Sequence, residues 1–299
     1  MRTPSRRHVL AVPGLAAVAA VTDLGYERDN LHRLRSAVDA MAVDWNSVGA
    51  SQNLAGAYAL ENHLGAVTPP VGGRAEWAEL ATSALVMLAQ IQADSGLDLL
   101  AAQTAQRAQH VALSAGPAGV ALGADAQVVE AELWSGVSPD GDVPIGMLAA
   151  ARQLGGRRHV SVRAAVSEAT ARAGRGEPVD TVMGVLLDAE RMQQRLPAVV
   201  GRPPWTLAHF HAFGAVAAIR CGALATAAEW LSLAEQECAD AGMPGLGTAV
   251  TLYQARGYAA GGRWDAARDA ARAGPAPGAV LAGSGGGLQH GRRRGPDGA

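Results

Sequence analysis

The residues best equipped for chemistry lie between positions 205 and 264. His209 and His211 form a His-x-His beside Phe210 and Phe213. Such a pair invites a metal reading. On a helix, however, residues two apart point about 200° away from each other, so the two rings cannot chelate one ion. One is expected to face the core and the other a groove. There is no His-Glu-x-x-His, and Cys221 and Cys238 do not form a Cys-x-x-Cys pair. A zinc ribbon, a thioredoxin motif and a cluster-binding run are therefore excluded, and the two thiols read as small buried hydrophobes. No cofactor is expected. Gly116, Gly119 and Gly123 follow no strand, so they are no dinucleotide fingerprint. The chain contains no Lys at all, which excludes a P-loop, and no Gly-x-Ser-x-Gly elbow is present. Glu130 and Glu132, like Asp265 and Asp269, read as solvated helix faces, and Asp98 and Asp265 as partners of helix dipoles. With no acid–base pair, nucleophile or metal set, the expectation is a protein that is not an enzyme.

Binding is the better-supported chemistry. Aromatic residues are only 4% of the chain, yet Trp77, Trp134, Trp205, Trp230 and Trp264 are spread along it. They either plug gaps between small-residue helices or line a groove. In the second case Trp205, Trp230 and Trp264 are the apolar lining and His209 or His211 the polar lining. Arg220, Arg256 and Arg263 would then hold carboxylates. The ligand would be a peptide, a protein segment or a small signal.

These side chains must be positioned by helices. The 299 residues are 49% hydrophobic and 17% charged, with a net charge of −2. That composition excludes a disordered chain, and no basic field favours direct nucleic-acid binding. Leu31, Leu34, Val38 and Met41 recur at helical spacing. So do Trp77, Leu80, Ala81, Ala84, Leu85, Leu88 and Ile91. Apolar periodicity and Gly or Pro breaks mark about twelve helices between residues 23 and 273 and no alternating strand. The expected fold is all-α: an α-solenoid of antiparallel hairpins. Hairpin turns are expected at Gly96, Gly136, Gly174 or Gly176, Gly222 and Gly262, at intervals near 40 residues, which is a repeat signature. Small residues follow three of these turns in register: Ala101 and Ala108 after Gly96, Ala227 and Ala234 after Gly222, and Ala267 and Gly274 after Gly262.

The segment from Leu252 to Ala267 carries Tyr253, Gly257, Tyr258, Gly262, Trp264 and Ala267. In it the chain resembles the tetratricopeptide repeat family, with Trp264 expected to fill its hairpin. The longer period and the long Ser138–Gly141 turn depart from that family. A wider resemblance covers most of the chain. An Arg-Arg apolar stretch followed by irregular Ala-, Arg- and Leu-rich hairpins is similar to the region after the DNA-binding domain of actinobacterial helix-turn-helix transcriptional regulators. It implies a cytoplasmic sensor or interaction module in bacterial regulation. Met1 falls where the DNA reader would end, so DNA binding is not carried over. Homodimerisation is a further option.

Residues 1–22 are a linker or a signal. Arg6-Arg7, the apolar run Ala11–Val21 and Ala17-Val18-Ala19 look like a twin-arginine export signal, too short to span a bilayer. The alternative localisation is therefore outside the cytoplasm, as an envelope binding protein. Residues 274–299, with Gly283 to Gly287 and Arg292 to Arg294, are expected to be a disordered tail.

Overall fold

The computed structural model describes residues 28–47, 50–66, 73–137, 142–196 and 205–273. The signal-like segment 1–22 and the tail 274–299 lie outside the described residues. Every regular element among them is helical. The twelve α-helices are α1 (Arg28–Ser47), α2 (Ala50–Ala66), α3 (Arg74–Asp94), α4 (Asp98–Ala112), α5 (Pro117–Val137) and α6 (Asp142–Gly155), then α7 (His159–Gly174), α8 (Val179–Gln193), α9 (Leu207–Cys221), α10 (Leu224–Ala241), α11 (Pro244–Ala260) and α12 (Trp264–Ala273).

The contacts between helices follow a simple rule. Each helix packs on the next in sequence. The odd helices make a second series: α1 on α3, α3 on α5, α5 on α7, α7 on α9 and α9 on α11. The even helices have no such series among the described residues. Helix α11 also touches α1, so the odd series returns to its start. The odd helices are thus an inner layer and the even helices an outer one.

Burial separates α3 and α9 from α8 and α10 in the same way, whereas α11, the last of the odd series, buries only Ala249, Val250 and Ala255. In α3, Leu80 to Gln92 are buried without a break, and in α9 all of Ala208–Ile219 except Phe213. Helix α8 buries only Val182, Leu186, Ala189 and Gln193, a single stripe. Helix α10 buries Ala227, Trp230, Leu231, Ala234 and Cys238, again one stripe. A helix apolar all round must be enclosed, and one apolar on a single stripe must have one face outside.

Glycines mark several of the helix junctions. Gly96, Gly116, Gly156 and Gly176, then Gly222, Gly242 and Gly262, all have φ between 60° and 89°. At Gly222 that left-handed backbone ends α9, its N–H bonded to the Ile219 carbonyl, and lets α10 start at once. Ala101, Ala108, Ala227, Ala234 and Ala267, the small residues that follow Gly96, Gly222 and Gly262, are all buried. Gly136 is no turn: α5 runs on through Val137. Trp264 does not fill its hairpin but stands 67% exposed, while the Arg263 guanidinium lies 4.8 Å above the Tyr258 ring. Both thiols are free, with Cys238 buried and Cys221 half-buried.

Candidate binding face on the inner helices

His209 and Phe213 stand four residues apart on one face of α9, and Trp205, two residues ahead of the helix, packs on the same face. Their rings form a compact three-ring cluster. The Trp205 centroid is 5.7 Å from those of His209 and Phe213, and His209 and Phe213 are 6.3 Å apart, with interplanar angles of 19–29°. Tyr253 of α11 adds a tilted ring, 6.1 Å from Phe213. Trp205 and His209 are buried, whereas Phe213 and Tyr253 are half-buried. The Trp205 indole Nε1 is buried with no hydrogen-bond partner.

His209 sits at the start of α9, where backbone N–H groups lack helical partners. The Thr206 N–H donates to His209 Nδ1 at 3.2 Å, and Thr206 Oγ1 lies 2.9 Å from the same nitrogen. The imidazole does what Glu or Gln does in a capping box. Burial, with the nearby Arg163 charge, pushes its pKa down to about 4. The ring is therefore neutral at pH 7, and with Nδ1 accepting, its proton is on Nε2.

His211 points the other way, as two residues on a helix should. Its Nδ1 lies 3.0 Å from Glu237 Oε2 on α10, and Trp230 stacks beside it against Phe210. Trp230 is 3% exposed and so close to α9 that a Cβ on Gly214 would sit 3.1 Å from its ring. His211 and Trp230 are core of the α9–α10 hairpin and do not join the cluster. Arg263 and Trp264 stand apart from it at the α11–α12 turn. Trp134 is exposed and Trp77 half-buried.

Two of the three arginines named from sequence do come together. Arg220 lies at the C-terminal end of α9, its Nη1 3.5 Å from the Thr170 carbonyl of α7. Arg256 lies on α11, one residue before Gly257, whose Cβ position is 3.5 Å from Ile219. Burial lowers the pKa of Arg220, and the Arg256 charge lowers it further. Among the described residues, neither has a carboxylate within ion-pair distance.

A second polar group on the inner layer escapes sequence reading. Arg163 of α7 is buried and donates from Nη2 to Gln90 Oε1 of α3 at 2.5 Å and to Glu132 Oε2 of α5 at 2.8 Å. Ser167 donates to the other Glu132 oxygen at 2.6 Å, and Gln90 Nε2 donates to Asp94 Oδ1 at 3.3 Å. Burial works against the Arg163 charge, but Glu132 and Asp125 raise its pKa on balance. Asp125 is half-buried by area yet faces the enclosed inner side. Burial raises its pKa to about 7, Arg163 opposing and Glu132 reinforcing the rise. Glu132 is thus not a solvated face. Neither is Glu130, which is 8% exposed and accepts 2.7 Å bonds from Gln106 and Gln109 of α4. Only the i, i+4, i+8 spacing of Trp205, His209 and Phe213 signals its site from sequence. The Arg163 group is drawn from three helices and has no local signature.

No family model, curated protein or solved structure matches the chain. The resemblances therefore rest on their own residues. Among the described residues, no group of three His, Cys, Asp or Glu side chains could hold a metal ion, and no helix is long and apolar enough to cross a membrane.

Proposed function

We propose that the chain is a non-catalytic helical-repeat scaffold or sensor. In this reading its twelve helices are six stacked hairpins of a tetratricopeptide-like array, and the inner face holds a peptide, a protein segment or a small signal. Regulation in a bacterial cytoplasm is the setting that the family resemblance implies. The observation that carries the reading is the half-buried edge of the aromatic cluster, Phe213 and Tyr253, on the same two helices as two arginines that have no carboxylate partner among the described residues. Repeat arrays present such inner surfaces to ligands. Buried donors and cations left unmatched by the protein itself are suited to matching by something else.

Hydrogen–deuterium exchange tests this. Full-length protein would be mixed with the small-molecule fraction, and separately with the peptide fraction, of its host's extract. Protection in α7, α9 and α11 is the expected result. Protection confined to α10 and α12, or none with either fraction, would overturn the reading. A second reading, export, is favoured by one observation, Arg6-Arg7 ahead of the apolar run to Val21. The intact mass from the native host decides it: loss of the residues up to about Ala19 marks an envelope protein.

A further inference from the structure

We infer that the inner face between α9 and α11 takes a planar aromatic anion, its ring on Phe213 and Tyr253 and its carboxylate or phosphate between Arg220 and Arg256. This rests on the inner-face reading above and names its ligand class.

The two halves of such a ligand are matched by different residues. Phe213 and Tyr253 present half-buried rings from two helices, already in contact at 6.1 Å. A third ring added to a pair of this kind keeps the offset geometry that aromatic groups favour. Trp205 and His209, packed against Phe213, are buried and fix its pose. Arg220 is next along the same face of α9, seven residues beyond Phe213. Arg256 follows Tyr253 by three residues on α11. Close packing of Gly257 on Ile219 brings these two helix faces together at that level.

The charges make the case for an anion. Arg220 is half-buried, and the Arg256 charge on the neighbouring helix disfavours its own, with Tyr253 only partly opposing. The one hydrogen bond of Arg220, to a neutral carbonyl, is at the limit of length. Elsewhere the protein supplies counterions to arginines drawn in from the surface: Glu132 for buried Arg163, and Glu168 and Glu177 for half-buried Arg172. Among the described residues it supplies none to Arg220 or Arg256. A carboxylate or phosphate can accept from both guanidinium groups at once, a charge-assisted arrangement stronger than neutral hydrogen bonds. Arg256 is exposed, so the anion has a route in.

The test uses full-length protein and isothermal titration with 2-naphthoate, 2-naphthylmethanol as its uncharged counterpart, and AMP as the phosphate arm. Either anion is expected to bind at least about tenfold more tightly than the alcohol. Whichever anion prevails assigns carboxylate or phosphate. Arg220→Gln and Arg256→Gln should each abolish that preference, and Phe213→Leu should weaken alcohol and anion alike. Thermal unfolding checks that the variants remain folded; Arg256→Gln, at an exposed site, is the variant that keeps the test open if Arg220→Gln does not fold. Equal binding of anion and alcohol, or a preference that survives both arginine changes, would overturn the anion site and leave the inner-face reading standing. No binding of any probe would overturn the ligand class, while extract-derived protection of α9 and α11 would still support the inner face. Failure of both experiments would remove both.

Discussion

The inner layer carries two arginine centres of opposite character. Around Arg163, every charge is answered: Glu132 and Gln90 accept from the guanidinium, Ser167 steadies Glu132, and Asp125 lies close by. Around Arg220, a second arginine stands where a carboxylate would be expected. The first centre ties α3, α5 and α7 together. The second leaves α9 and α11 with a charge imbalance beside an aromatic surface. A buried charge that the protein matches is a structural joint, whereas one it leaves unmatched is available to a ligand.

Removing the joint should have the largest effect. Arg163→Met leaves Glu132 and Asp125 near each other in an enclosed place without their cation. Breaking a buried pair in this way costs about 3–5 kcal/mol. Urea unfolding of the variant should show a loss near the lower figure, since Glu132 is partly solvated. Adding Glu132→Gln to Arg163→Met should recover part of it. A loss below about 1 kcal/mol would mean that the cluster is incidental.

The two regions should also differ in how they respond to pH. Asp125 has a folded pKa of about 7 against an ordinary 3.8. Its folded form holds the proton more tightly than the unfolded chain does, so its contribution to stability falls as pH rises from about 4 to about 7. Asp125→Asn should therefore be more stable than the parent at pH 8, by on the order of 1 kcal/mol, and equal to it near pH 4. His209 acts in the opposite direction. Its folded pKa of about 4 lies below the ordinary 6.5, so the stability it contributes is lost as pH falls through that window. His209→Gln should flatten the loss between pH 6.5 and 4 by a similar or smaller amount, as read from midpoints of thermal unfolding. Parallel slopes in parent and variants would show that neither group titrates as its surroundings dictate.

The elements were far more legible in the sequence than the site. Apolar spacing and the glycines placed all twelve helices, because both are local properties. The buried small residues Ala101 and Ala227 could be named from their distance to a turn. The division into inner and outer helices could not, since α3 shows an apolar stripe in sequence whether or not it is enclosed all round. Glu130 and Glu132 misread for a related reason. A carboxylate on a helix looks solvated until the partners on other helices, Gln106 and Arg163, are known. Of the eight residues named for binding, Trp205, His209, Arg220 and Arg256 share the α9–α11 inner face. His211 and Trp230 are separated from them by helix phase alone, as His211 points toward Glu237 of α10. The Gly136 turn failed because a single glycine can be carried inside a long helix at modest cost.

The smallest predicted effect sharpens the comparison most. Arg220→Gln removes a charge that burial and Arg256 both disfavour, and forfeits one 3.5 Å hydrogen bond. These terms nearly cancel, so the change in stability without ligand should lie within about 0.5 kcal/mol of zero, against the loss of several for Arg163→Met. Salt separates the contributions. Like charges near the surface repel less as ionic strength rises, because the Debye length falls from about 10 Å at 0.1 M to about 3 Å at 1 M. Sodium chloride should therefore raise the unfolding midpoint of the parent slightly more than that of Arg220→Gln or Arg256→Gln. If Arg220→Gln instead costs as much as Arg163→Met, Arg220 is itself a structural joint. The contrast between a matched and an unmatched arginine would then not hold for this inner layer.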